Sequence, residues 1–261
     1  MTQANAETLL GSDRQSRDRA LFDDIANRYA HKDRHPASSI ARRQRLLRTL
    51  AAAPLPGQPS ILEAGCGAGF SARYLEGRYS QFVGIDYADK LIDCAKQSNA
   101  LPGAEFKTAN IKSLELGQAF DAIVMIGVIH HLDDVDTAMQ QLVGALKPGG
   151  WLLSNEPQPG NPLVRAARRL RKRMDNDYSD EQDQISAKLM RTIYEAAGLK
   201  EIAIVPQGLF STPFAEVPMG PTWLTRPIAK ACCLLDSAAE RSFGPLLGRV
   251  SWNLIAAGRK P

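Results

Sequence analysis

Four histidines and four cysteines are all that 261 residues offer a transition metal or a disulfide framework. Cys66, Cys94, Cys232 and Cys233 form no Cys-x-x-Cys pair and no zinc spacing with a histidine, so reduced thiols and no bound metal are expected. Long apolar runs are missing too: none approaches the ~18 residues that span a bilayer, and the first twenty residues hold no apolar core of a signal peptide. The expectation is a cytoplasmic protein without a spanning helix, with peripheral membrane contact left open. Neither sign of charge dominates. With 32 basic against 28 acidic residues the net charge is +4, too mild for a dedicated nucleic-acid binder, and no nucleic-acid partner is expected. What is present is an ordinary globular balance of 44% hydrophobic and 23% charged residues, long enough for one large domain.

Residues 1–12 are polar and lack periodicity, which predicts a flexible tail. Helical patterns follow over Arg14–Tyr29 and Ser38–Ala53, the second ended by Pro54-Leu55-Pro56-Gly57. From residue 60 short apolar strands alternate with helices, the pattern of a parallel sheet covered on both faces. Strands are placed at Ile61–Ala64, Phe82–Asp86, Glu105–Thr108, Ala122–Ile126, Trp151–Glu156, Glu201–Val205 and Val250–Ala257. Helices fall at Phe70–Leu75, Lys90–Ser98, Val135–Leu146 and Gln184–Ala197, with Lys147-Pro148-Gly149-Gly150 read as a stop and turn. The resulting fold class is α/β: a Rossmann-like, doubly wound, seven-stranded sheet, mostly parallel with an antiparallel final strand, plus N-terminal helices and an inserted helical cap. Residues 1–57 form the tail and helical flank, and 58–261 the main domain with cap insertions at about 157–183 and 206–249.

The densest chemistry lies in Glu63-Ala64-Gly65-Cys66-Gly67-Ala68-Gly69, where an apolar strand ends in an acid and runs through alternating glycines into a helix. Glycines let the backbone turn sharply and approach a ligand closely. A dinucleotide fingerprint would need a third glycine where Phe70 or Ala72 stands, which weakens a pyrophosphate reading. The next strand ends in Asp86, where a carboxylate at the crevice can accept hydrogen bonds from a ribose diol.

Together with Phe120-Asp121-Ala122-Ile123-Val124-Met125 and Leu146-Lys147-Pro148-Gly149-Gly150, these motifs resemble those of the class I S-adenosylmethionine-dependent methyltransferases. The resemblance covers about residues 61–156. It implies S-adenosyl-L-methionine as cofactor, with Gly65, Cys66 and Gly67 at its methionine part, Asp86 on the ribose, Tyr87 near the adenine, and Glu63 and Ile111 among the further cofactor-binding residues. Asn110, beside Ile111, stands where the family usually has an acid for the adenine amino group, and an amide oxygen can accept the same bond. Backbone groups near Ile126 and Gly127 would serve the cofactor's amino group, and Phe22–Tyr29 resembles the N-terminal segment that closes over it, with Tyr29 the contact.

His130 and His131 follow the fourth strand. Either could act as a base toward an acceptor that must lose a proton, His131 ahead of His130, while the plainer reading has the pair shaping the turn. Glu156 is a second candidate base or a structural acid. The basic run Val164–Met174, followed by acids from Asp175 to Asp183, reads more readily as an ordinary cap helix than as a membrane-seeking one. The apolar stretch Ile228–Leu235, with Trp223 and Leu224 upstream, is read as packing over the acceptor pocket rather than binding a membrane. The expected activity is methyl transfer to a small-molecule or lipid-linked acceptor. A nicotinamide oxidoreductase and a non-catalytic protein of the same fold remain the alternatives.

Overall fold

The structure, a computed structural model, describes residues 3–117, 119–158 and 185–261. Its centre is one seven-stranded sheet in the order β3-β2-β1-β4-β5-β7-β6. The strands are β1 (Ser60–Ala64), β2 (Gln81–Asp86), β3 (Ala104–Thr108), β4 (Phe120–Ile126), β5 (Leu146–Pro157), β6 (Lys200–Gln207) and β7 (Asn253–Arg259). Strands β1 to β5 pair in parallel, and β7 runs antiparallel between β5 and β6. Because alternate residues of a strand point to opposite faces, each central strand feeds two cores. Leu62, Ala64, Ile123, Met125 and Leu152 enter one; Ile61, Ala122, Val124, Trp151 and Leu153 enter the other. Helices α5 (Val135–Ala145) and α6 (Ala187–Ala196) cover the first core through Met139, Leu142, Met190 and Tyr194. The second is closed by α2 (Pro36–Leu50), α3 (Phe70–Tyr74) and α4 (Asp89–Ser98) through Leu46, Ala72, Ile92 and Ala95.

Two features of the N-terminal flank differ from expectation. Instead of a flexible tail before Arg14, one helix α1 runs Gln3–Arg34, in keeping with the helix-forming Ala, Gln, Glu and Leu of its first turns. It ends because His35 precedes a proline and adopts an extended conformation (φ −65°, ψ 128°), after which Pro36 starts α2 at the position where a missing N–H costs nothing.

In the C-terminal half, β5 begins at Leu146, which pairs with Phe120 before a register shift, so Lys147-Pro148-Gly149-Gly150 is an irregular strand start rather than a turn outside the sheet. The final strand starts at Asn253 because Gly244–Arg249 form a 3-10 helix ahead of it. Gln207 leads through the short helix α7 (Thr212–Glu216) to α8 (Thr222–Phe243), far longer than the apolar centre Ile228–Leu235 suggested. The basic run Val164–Met174 and the acidic run Asp175–Asp183 lie outside the described residues.

Candidate functional site

Strand β1 connects to β2 on one side while its other neighbour is β4, so the chain reverses its winding between them. A crevice opens at such a reversal, beyond the C-terminal strand ends. The glycine turn forms its floor. Gly65, Gly67 and Gly69 all hold positive φ (74°, 52° and 73°), which a side chain would strain. A Cβ on Gly65 would lie 2.5 Å from Val128 Cγ2, so the turn also needs glycine for space.

The turn is pinned to β2 from below. Gly65 and Cys66 donate their N–H groups to the Ile85 carbonyl at 2.8 and 2.9 Å. Asp86 Oδ2 accepts from Gly67 N at 2.9 Å, and its Oδ1 accepts from Ala88 N at 3.0 Å. Burial raises the Asp86 carboxyl above its usual range, opposed by the backbone N–H groups of Ala88, Gly67 and Tyr87. Each carboxylate oxygen retains a further lone pair, so the carboxylate can accept from the two hydroxyls of a ribose diol.

A cavity opens above this floor. Gly65, Gly67, Asp86 and Tyr87 line it, as do Asn110, Ile111 and Gly127, and Tyr29 and His131 complete the nominated residues found there. Three nominated residues stand outside that lining. Glu63 is buried behind the turn, with Oε1 accepting from the Ser71 hydroxyl at 2.6 Å and Oε2 unpartnered. Cys66 is buried among apolar groups, and burial pushes its thiol well up, away from thiolate chemistry. His130 is turned inward, its Nδ1 2.7 Å from Glu156 Oε2. Asn110 has a second task, for its Oδ1 accepts from Lys112 N at 3.0 Å and caps the 3-10 turn Ile111–Ser113.

Glu156 is fully buried and is consumed by structure rather than poised as a base. Its Oε1 accepts from the N–H groups of Val128 and Ile129, both at 2.8 Å, while Oε2 meets His130. The carboxylate therefore fixes the turn after β4 that carries Gly127 and Val128 into the cavity wall.

Helix α1 roofs the cavity, and here the sequence reading held the segment from Phe22 to Tyr29 but not Asp18. Asp18 and Phe22 line it together with Tyr29. Phe22 packs edge-on against Tyr29, Tyr87 and His131, with centroids 6.1, 6.3 and 5.6 Å away. Asp18 Oδ2 lies 3.4 Å from His131 Nδ1, a loose ion-pair distance without hydrogen-bond geometry. Positions 18, 22, 25 and 29 recur at i, i+4, i+7 and i+11, so the helical period held that face. Tyr29 is anchored from behind, with the Arg42 guanidinium 5.3 Å over its ring. Arg42 in turn donates to Asp33 Oδ1 at 2.8 Å and to the Ala215 carbonyl at 2.9 Å. Among the described residues no cluster of His, Cys, Asp or Glu could hold a metal ion.

Residues 62–154 match a protein family described as a methyltransferase domain. Among curated proteins, the chain is 29% identical over 96 residues to a ubiquinone biosynthesis O-methyltransferase of Chromobacterium violaceum, covering 35% of this chain and 41% of that protein. It is 31% identical over 122 residues to a trans-aconitate 2-methyltransferase of Azoarcus, covering 44% and 47%. The matches thus span less than half of those relatives' length. A Thermotoga maritima structure described as a SAM-dependent methyltransferase, possible histamine N-methyltransferase, superposes with a TM-score of 0.62 at 18% identity, over 93% of this chain and 99% of that one. The [4+2]-cyclase SpnF shares the fold at a TM-score of 0.54 and 20% identity, over 84% and 80%. The β3-β2-β1-β4-β5-β7-β6 sheet and the glycine turn closed by Asp86 are thus those of the methyltransferase fold, and residues 62–154 carry the match to a methyltransferase domain.

Proposed function

We propose that the protein binds S-adenosyl-L-methionine in the cavity over β1, β2 and β4 and transfers its methyl group to a small-molecule or lipid-linked acceptor. The observation that carries this reading is the junction of Gly67 and Asp86: one carboxylate both holds the glycine turn and faces the cavity. Bound there, the cofactor supplies an electrophilic methyl on a sulfonium. Asp86 would accept from the ribose hydroxyls, Asn110 would serve the adenine edge, and the backbone of Gly65 and Gly127 would meet the amino-acid end. Tyr29, Phe22 and Tyr87 would exclude water. Since displacement on a sulfonium needs mainly alignment, the walls do most of the work. SpnF's description as a cyclase illustrates that the fold alone does not specify methyl transfer, so direct binding and turnover are the tests.

Calorimetric titration with S-adenosylmethionine and its demethylated product should give saturable binding, and Asp86→Ala should weaken it by about 1.5–3 kcal/mol, the scale of hydrogen bonds to a charged group. Unchanged affinity in a folded variant, or binding of NADH instead, would sink the assignment.

Proton removal from the acceptor is assigned to His131, which lines the cavity, rather than to His130, which Glu156 holds. With an acceptor in hand, His131→Ala should lower kcat by about 10²- to 10⁴-fold with cofactor affinity little changed. Turnover at the parent rate would return the residue to a turn-shaping role.

A further inference from the structure

Helix α8 inverts the usual amphipathic arrangement, because its buried face is small and partly polar while its large apolar side chains are exposed. Thr225, Ala229, Cys233, Asp236 and Glu240 are buried and recur every three or four residues, the stripe that faces the body of the protein. Along this stripe Ala41 of α2 packs with Ala215 and Cys233, while Gln44 donates to Ser237 and Arg48 to Glu240. At 100° per residue the centre of the opposite face falls on Pro227, Ala231 and Ala238, with Leu234 and Leu224 about 40° to either side of it, Trp223 and Leu235 about 60° and Ile228 about 80°. Those large side chains are exposed, Trp223 by 76%, Leu234 by 73% and Leu235 by 56%, and Phe243 and Leu246 extend the surface past the helix end.

The charges of α8 are sorted to match. Its acids point inward: Asp236 accepts from the backbone N–H groups of Leu209, Phe210 and Ser211, and Glu240 from Gly208 N and Arg48. Every exposed charge on the helix is basic, namely Arg226, Lys230 and Arg241. An apolar strip with a tryptophan at one end and cations along its flank suits an interface between water and an anionic bilayer, where rings and leucines enter the acyl boundary and cations meet headgroups. A partner copy of the same chain would set these cations against one another.

We propose that α8 is a membrane-surface docking helix, which seats the protein on anionic lipid with Trp223, Leu224, Ile228, Leu234 and Leu235 inserted and Arg226 and Lys230 on the headgroups. This inference does not rest on methyl transfer. The test is flotation of the full chain with vesicles of phosphatidylcholine alone or with about a third phosphatidylglycerol, at low and high salt, alongside its oligomeric state by light scattering. Binding is expected only with the anionic lipid and should fall with salt. Arg226→Glu with Lys230→Glu should weaken it on the order of a hundredfold. Leu234→Ser with Leu235→Ser should abolish it, while thermal unfolding stays near that of the parent because both side chains are more than half exposed. Failure to float with anionic vesicles, flotation indifferent to both double substitutions, or a dimer that the serine pair dissolves would each overturn the proposal.

Discussion

Glu156→Ala is expected to destabilise the protein by about 3–5 kcal/mol, the cost of removing one side of a buried, charge-assisted network. Three donors depend on that carboxylate: the N–H groups of Val128 and Ile129 and the ring of His130. In a dry interior the two backbone donors would lose that acceptor and the imidazole its carboxylate. Glu156→Gln should cost clearly less, because its single amide oxygen can still serve the two backbone donors. The imidazole can switch tautomer and accept from the amide through Nδ1. Urea unfolding of the three proteins checks the order. An alanine variant within 1 kcal/mol of the parent would mean that the turn after β4 is held by something other than this acid. Since Gly127 and Val128 line the cavity, cofactor affinity should fall along with stability.

The second large effect concerns pH. Burial pushes the Glu63 carboxyl up to about 8 from 4.5, with the charges of Asp33 and Asp86 adding to the rise and the Ser71 hydroxyl opposing it. A carboxyl that is more easily protonated in the folded state favours folding at low pH. Below about 4.5 the acid is neutral in both states and carries no penalty; between 4.5 and about 8 the unfolded chain ionises first and stability drains away; above that the loss is complete. The full difference is on the order of 5 kcal/mol. Glu63→Gln imitates the neutral acid, so its stability relative to the parent should grow across that window. A constant difference between the two proteins from pH 5 to 8.5 would show that Glu63 is ionised in the fold despite its burial.

These two acids also mark where the sequence was legible and where it was not. The strands, the glycine turn and Asp86 were readable because each depends on local pattern: period two, breakers, and an acid closing an apolar run. Glu63 sits in the same motif, yet strand alternation sends its side chain behind the turn toward Ser71, a contact no spacing rule contains. His130 and His131 are neighbours in sequence with opposite fates. Only a carboxylate 26 residues away turns one inward and leaves the other on the cavity wall. Asn110 was read as a ligand for want of an acid, although its cap of Ile111–Ser113 supplies a second reason for the residue type. The extent of α1 was missed because its first turns carry weak periodicity and ordinary propensity, signals shared with flexible termini.

The ties that hold α1 differ along its length. Its rear is fastened by the shielded pair of Arg42 and Asp33 and by the Tyr74 hydroxyl, which donates to the Asp33 carbonyl. Its front, bearing Asp18 and Phe22, is joined to α4 by the solvent-exposed pair of Arg19 and Asp89 and by Lys90 N donating to Asp23. Exposed pairs hold with about 1 kcal/mol or less. Breaking them leaves the buried anchor at Tyr29 intact and only the packing of Phe22 on Tyr87 and His131 to yield, so on the proposed function entry of the cofactor would need the front turns of α1 to swing, not the helix to detach. The rate of exchange should then rise with ionic strength while the affinity set by Asp86 stays largely where it was.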